Sequence, residues 1–359
     1  MLRDRAIVCV VLSVIWLTVL PVGAEVNLYW QPAEQTVRVG DTVRIDLYAV
    51  SDTSDVAVVS AMEAIISYTP LQLEFLYISS DDAQYDWMYD GFPYNAPHDI
   101  NKDLQDGLMQ YVLFGQLGQP ARIDSNGLLV STFEFTAISP GLTYVTILES
   151  YLSLQTRIFD GIIPNYDIKG ILGSAQITII PQDALETIVE AKALDDETPV
   201  ILASQVVTRT FDDYFYIEDQ DRTSGIRVNY SNGQLPAEGT MPQVYGVIRS
   251  IDGERVIDAD TVLEGCTATV PCPMMMNIRA ITSGLSPEGL LIKTAGRVTS
   301  SSDGMIVISD GSGLELAVEL HNVTAPQLDT FVALTGTLGH ESFGPVLRVN
   351  KQADIQILD

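Results

Sequence analysis

Two short runs in this 359-residue chain carry side chains of the kinds that bind ligands. In the first, Asp99-Ile-Asn101-Lys-Asp103 puts oxygen-bearing residues at alternate positions. A calcium loop presents hard oxygens to the ion with this 1, 3, 5 spacing. Leu104 stands where such a loop needs a glycine for its turn, and Gln110 where it needs a bidentate glutamate. The run is read as a degenerate calcium site or as a solvated acidic loop, and no other cofactor is indicated. The second run lies just upstream: Tyr85, Trp87, Tyr89, Phe92 and Tyr94, with Asp86 and Asp90 between them. Flat rings stack on sugar faces while carboxylates accept sugar hydroxyls, and aromatic rings with polar tips equally suit a protein interface. A third reading is a loop that folds back over one end of its own domain. All three stay open on the residues alone.

Reactive constellations are missing from the pattern. The chain holds no Gly-x-Ser-x-Gly elbow and no Gly-x4-Gly-Lys phosphate loop. His340-Glu341 begins like a zinc-protease helix, but the position four residues on is Gly344. With only His98, His321 and His340, a histidine metal centre would need distant residues to converge. Paired acids such as Asp195-Asp196 are expected by composition in so acidic a chain and do not imply glycoside hydrolysis. The sequence points to a non-enzyme.

Acids number 47 and bases 19, a net charge of −28, so duplex nucleic acid is an unlikely partner, because that affinity comes largely from Lys and Arg on phosphates. The chain opens with Arg3 and Arg5, then the apolar run Ala6–Leu20, then Pro21-Val22-Gly23-Ala24. A basic start, a short apolar stretch and a small-x-small ending read as a secretory signal over residues 1–24, cut after Ala24. No later stretch reaches spanning length, so no membrane contact is expected once the signal is gone. Export permits disulfides, and Cys266 and Cys272, the two cysteines left, are expected to close a short loop.

These groups need a frame, and period two dominates it. Val43, Ile45, Leu47 and Ala49 alternate with Arg44, Asp46 and Tyr48; Met62, Ala64 and Ile66 alternate with Glu63 and Ile65; Phe133, Phe135 and Ala137 alternate with Glu134 and Thr136. Alternation of this kind builds a sheet with one buried face. Further strands are expected at Leu71–Ile78, Leu108–Phe114, Thr143–Leu148 and Ala175–Ile180, with turns at Gly40-Asp41, Thr69-Pro70, Asn126-Gly127 and Pro140-Gly141. Beyond Pro181 comes the one expected helix, Ala184–Leu194, with Leu185, Ile188 and Val189 on one face. An internal repeat follows at an offset of 91, matching Val207/Val298, Thr208/Thr299, Asp212/Asp303, Ile217/Ile308 and Asp219/Asp310. Both copies continue through a glycine and strand (Gly225–Val228, Gly313–Leu316), a strand around a glycine (Gly246, Gly336) and a last strand. About ninety residues with five short strands fit a small barrel.

Residues 25–180 resemble cohesin-like domains, on Val37-Arg-Val-Gly40-Asp-Thr-Val43-Arg-Ile-Asp-Leu47, Ile66-Ser-Tyr68-Thr-Pro70-Leu-Gln-Leu-Glu-Phe75, Gly127-Leu-Leu-Val130-Ser-Thr-Phe133-Glu-Phe135 and Ser139-Pro-Gly141. The resemblance implies a jelly-roll sandwich of the kind shared with carbohydrate-binding modules and used in protein–protein adhesion, with Asp81–Asp106 as an insertion. Residues 184–359 resemble tandem OB-fold domains of secreted bacterial proteins, on Ile188-Val-Glu-Ala191-Lys-Ala-Leu194, Val207-Thr208, Tyr216-Ile-Glu-Asp219 and Gly225-Ile-Arg-Val228, the second copy without a leading helix. Some OB folds bind single strands on a basic face with stacking rings. Here Phe211, Tyr214, Tyr216 and Arg227 form the candidate face, set among Asp212, Asp213, Glu218 and Asp219. The expectation is an all-β chain: a signal (1–24), a cohesin-like jelly-roll β-sandwich (25–180), an OB-like barrel with its helix (181–268) and a second OB-like barrel (269–359). It acts outside the cell or at its surface as a non-catalytic binding or scaffolding protein for an extracellular protein or a polysaccharide. The alternatives are a carbohydrate-binding protein and an OB-fold accessory protein binding single-stranded nucleic acid.

Overall fold

A computed structural model describes residues 24–283 and 287–358. Most of the expected signal therefore lies outside the described residues. Among these residues no helix is long and apolar enough to cross a membrane.

The first fifteen strands are β1 (Val26–Gln31), β2 (Glu34–Arg38), β3 (Thr42–Ser51), β4 (Ala57–Ser67), β5 (Leu73–Ser79), β6 (Tyr89–Gly91), β7 (Leu108–Phe114), β8 (Ala121–Ile123), β9 (Leu128–Ala137), β10 (Gly141–Leu148), β11 (Ser150–Tyr151), β12 (Leu154–Gln155), β13 (Arg157–Asp160), β14 (Lys169–Leu172) and β15 (Ser174–Ile180). Thirteen of them form two facing sheets, and β11 pairs with β12 as a separate two-stranded ribbon. One has the order β14-β1-β3-β9-β5; the other has β2-β15-β10-β4-β7-β6, with β13 and β8 also on β4. The alternating residues Val43, Ile45, Leu47 and Ala49, Met62, Ala64 and Ile66, and Phe133, Phe135 and Ala137 are all buried in the layer between the sheets. Phe133 sits at its centre, edge-on to Trp30 at 5.1 Å and to Tyr111 at 5.2 Å. Such edge-to-face ring contacts add to the area each ring buries.

Two barrels follow. The first uses β16 (Pro199–Leu202), β17 (Val206–Thr210), β18 (Tyr214–Glu218), β19 (Gly225–Asn229), β20 (Gln243–Ile251) and β21 (Glu254–Leu263), in the order β16-β20-β21-β19-β18-β17. Val207 closes it by exchanging backbone hydrogen bonds with Gly239 and Thr240. The second uses β22 (Met274–Met275), β23 (Leu291–Ser302), β24 (Met305–Ser309), β25 (Glu315–Leu320), β26 (Phe331–Glu341), β27 (Gly344–Val349) and β28 (Ile355–Ile357), and β23 pairs with both β24 and β26 to complete its ring. The repeat is thus a repeat of topology. The parallel pair β19–β21 matches β25–β27, and β23 runs unbroken where Ser204 (φ 76°) interrupts β16 and β17.

The repeated residues have identifiable work. Asp219 and Asp310 each accept the first helical amide of their own barrel: Ile188 N–H at 3.0 Å and Ile278 N–H at 2.9 Å. Gly246 and Gly336 stand where a Cβ would meet the neighbouring strand's carbonyl oxygen at 2.3 Å, of Asp258 and Arg348 respectively. The helices themselves depart from expectation. The first, α1 (Ile188–Lys192), is shorter than Ala184–Leu194 because Leu185 instead bridges to Leu202 and Thr187 caps the helix with Glu190 in a reciprocal box. Val189 consequently faces solvent while Ile188 and Ala191 are buried. The second barrel does have a leading helix, α2 (Ile278–Ser283), begun by the Asn277 side chain accepting from Ala280 N–H. Its β-branched composition hid it, since Ile and Thr are weak helix formers.

The expected disulfide does not form: Cys266 is a buried free thiol and Cys272 an exposed one. The chain around Cys266 is held as a ribbon, with Met241 N–H donating to its carbonyl and Ala268 N–H to Gly239, while Cys272's carbonyl is taken by Arg222. Asp310→Ala should cost the second barrel about 1 kcal/mol, the usual magnitude for a lost cap, and Asp310→Asn less. Urea titration followed by near-UV circular dichroism checks both.

Candidate functional site

Three sets of expected site residues can now be placed. The calcium-like run does not converge. Asn101 is buried, with its carboxamide oxygen accepting Gln110 N–H at 2.8 Å and its nitrogen donating to the carbonyls of Pro93 and Gln110. Asp99 pairs with Lys102 at 2.6 Å, and Asp103 accepts Gln105 N–H at 2.9 Å. Asn101 thus ties the insertion to β7, while Asp99 and Asp103 bond within the insertion. Among the described residues no group of three or more His, Cys, Asp or Glu is arranged to hold a metal ion. The histidines lie apart: His98 bonds Ser153 at 2.7 Å, His321 lies 3.3 Å from Glu319, and His340 bonds the Asp252 carbonyl at 3.1 Å.

The aromatic run divides into two groups. Trp87 is 8 % exposed, packed edge-on to Tyr85 at 4.7 Å, and Phe92 packs between Phe75 and Tyr111. The insertion then crosses the outer face of β4, where Ala96 and Ile100 join Ile65 and Leu154 in a small second core. These residues cover the sandwich. Tyr89 and Tyr94 stay open. Tyr89 lies on β6, the edge strand of its sheet, directly opposite Phe114 of β7, ring centres 5.8 Å apart. With Met88 (51 % exposed), Phe114 (43 %) and, in the turn after β7, Leu117 (86 %), Tyr89 makes an apolar strip along a free strand edge. Phe114 and Leu117 had no signal in the sequence beyond ordinary hydrophobicity, because their exposure depends on where the sheet ends.

The OB-like face is closed. Phe211, Tyr214 and Tyr216 form their own buried cluster, and His321 of the second barrel packs edge-on to Phe211 at 4.9 Å. The second barrel sits directly on this face. Its Arg348, 2 % exposed, donates from Nη1 to Glu254 at 2.8 Å and to the Tyr216 hydroxyl, from Nε to Glu319 at 3.1 Å and from Nη2 to Glu341 at 2.6 Å. Tyr216 donates in turn to Glu254 at 2.7 Å. A Cβ at position 339 would meet the Arg348 guanidinium at 1.7 Å, so glycine there opens the space it occupies. A second cross-barrel set joins Arg209 to Glu238 and Asp354, and buried Glu218 accepts Leu291 N–H. Burial pushes the Tyr216 hydroxyl well above its usual range and raises Glu218. Glu319 goes the other way: the hydrogen bond to His321, then the charges of His321 and Arg348, bring it to about 2. Arg227 alone of the candidate face reaches solvent, its guanidinium 4.0 Å over the Tyr214 ring. The bases of this region are thus largely taken up by the chain's own carboxylates and rings.

No protein-family model and no curated protein matches the sequence. Among solved structures the chain is similar to the seventh ScaB type I cohesin from Pseudobacteroides cellulosolvens, at 13 % identity and TM-score 0.34 over 45 % of this chain and 96 % of that one. It is similar to the cohesin module of the family 33 glycoside hydrolase of Clostridium perfringens, at 17 % identity and TM-score 0.32 over 44 % of this chain and 99 % of that one. A cohesin solved in complex with a dockerin from Clostridium thermocellum matches at 12 % identity and TM-score 0.31, over 44 % and 99 %.

Removing one member of a buried ion pair leaves the other charge uncompensated, at about 3–5 kcal/mol. Arg348→Met should therefore loosen the barrel pair, and hydrogen exchange should rise at the amides of Leu291 and Tyr216 before it rises in the sandwich. A carboxylate whose folded value lies below its unfolded 4.5 stabilises the fold above that pH, and the contribution is lost as pH falls toward about 2. Thermal melts across that window should fall less steeply for Glu319→Gln than for the wild type.

Proposed function

We propose that the chain is an exported, non-catalytic binding protein whose sandwich holds a partner protein along the strip formed by Met88, Tyr89, Phe114 and Leu117. The strip carries the reading. It places exposed aromatic and aliphatic side chains beside a strand edge with unpaired backbone groups, and proteins rarely leave such an edge both open and apolar unless it is used. The rings beside it, buried Trp87 and half-buried Tyr85, pack on each other and hold the strip, and preorganised contacts lose less entropy on binding. Asp86 is exposed at the rim, on a chain of net charge −28, so a complementary partner presents an apolar patch bordered by Lys and Arg. The solved cohesins crystallised with dockerins agree with a protein-binding role. The polysaccharide reading loses its main ring, since Trp87 is inside the fold. A role for the first barrel's aromatic face in binding single strands loses its surface to the second barrel. Export rests on the basic start, the Ala6–Leu20 run and the small residues before Glu25.

A photo-crosslinking residue at position 89 in the intact protein, expressed in its source cell, should give a discrete protein adduct outside the cytoplasm that Phe114→Asp abolishes. The same probe at Tyr144, exposed elsewhere on the sandwich, should give none. Equal labelling at both positions, or none at 89, overturns the assignment of the strip. N-terminal sequencing of the exported form should begin at Glu25.

A further inference from the structure

The internal repeat makes each barrel a reference for the other. In the second barrel the β26–β27 hairpin is an interface, because Arg348 and Gly339 on it engage the first barrel. The matching hairpin of the first barrel is β20–β21, where Val247 pairs with Asp258 as Thr337 pairs with Arg348. Arg249 stands where Gly339 does. The second barrel meets this hairpin at its turn end, through Asp252 and Glu254, and not along its outer side. Instead its outer side, with the end of β19 and the loop after it, walls an open cleft of about 560 Å3.

The cleft's floor is a line of polar groups held by one another. Arg227 Nε donates to Asn229 at 2.8 Å, Asn229 Nδ2 donates to Asp258 at 2.8 Å, and Asp258 lies 2.7 Å from Arg249 Nε. Arg227 is further fixed over Tyr214, and Arg249 is tied to Glu197. These side chains are ordered before any ligand arrives. Around them the carboxylates of Asp213 and Asp260 have no hydrogen-bond or ion-pair partner among the described residues, and the Tyr230 ring stands half-buried in the wall.

We propose that this cleft binds a short neutral saccharide. Its size lies within the range of small-molecule sites. Its charges decide the ligand class. An anion placed against Arg227 and Arg249 would meet Asp213, Asp258 and Asp260, which also excludes a nucleic-acid phosphate. A cation placed against those carboxylates would meet the two guanidiniums. A polyhydroxylated neutral ligand satisfies both sets, because each hydroxyl can donate to a carboxylate and accept from a guanidinium N–H. Tyr230 supplies a ring face for the apolar side of a sugar. The site is separate from the strip on the sandwich, so either assignment can fail without the other.

The test is isothermal titration of the full chain with cellotriose, xylotriose and maltotriose, beside trigalacturonic acid and chitosan trimer as charged controls. At least one neutral trisaccharide should bind, and the Asp213→Ala/Asp260→Ala double variant should weaken it roughly tenfold or more. Both side chains are exposed and unpartnered, so the variant should keep its fold, and an unchanged melting temperature would confirm that. Tyr89→Ala should leave the affinity unaltered. Absence of binding to all three neutral probes at about 10 mM, binding of the charged trimers alone, or binding indifferent to the double variant overturns the proposal.

Discussion

A guanidinium shut away from water must be met by acceptors on every side, and Arg348 is so placed. Four of its five N–H donors are answered by Glu254, Glu319, Glu341 and the Tyr216 hydroxyl, contributed by both barrels. Neither barrel could bury it alone. Glu254 and Tyr216 belong to the first, and without them Nη1 would lose the acceptors that answer it, while Glu319 and Glu341 of the second barrel hold Nε and Nη2. The two repeats are therefore one unit electrostatically, although each has its own apolar core. The same requirement explains why so acidic a chain concentrates arginines here. Arg209, Arg222, Arg227 and Arg348 all lie at or beside this boundary, each paired within the chain.

This contact also decides what the barrels can offer a partner. The aromatic cluster Phe211, Tyr214 and Tyr216 becomes the seat of a neighbour, and ring stacking is spent within the molecule. The outward sides of β20 and β21 are left uncovered, and there the polar groups are arranged in a line without being enclosed. Duplication followed by asymmetric docking thus gives two similar barrels unlike surroundings. A head-to-tail contact uses one face of one copy and a different face of the other, so each copy keeps one face free.

The sandwich meets a different constraint. Its sheets are closed on the inside by Phe133 and its neighbours, but β4 also carries Ile65 on the outer face, and a buried-type residue there needs a cover. The insertion supplies it through Ala96 and Ile100, anchored by Asn101 on the backbone of Gln110. Held through these residues, the segment leaves Tyr89 and Tyr94 facing outward.

What the sequence determined by itself was whatever depends on neighbours along the chain. Alternation at Val43–Ala49 and Phe133–Ala137 fixed which side of each strand goes inside, because side-chain direction in a strand reverses at every residue. The repeat spacing fixed two equivalent barrels, and the recurring Asp219 and Asp310 proved to be helix caps, since the same local geometry needs the same acceptor. What it could not determine was which polar or aromatic group would lie beside which from elsewhere. Read alone, Phe211, Tyr214 and Tyr216 look like a binding face, Asp99, Asn101 and Asp103 like ligands, and Cys266 and Cys272 like a bridge. The tertiary structure assigned them to a barrel seat, a loop anchor and separate thiols, because burial and pairing depend on distances through space that residue spacing does not encode.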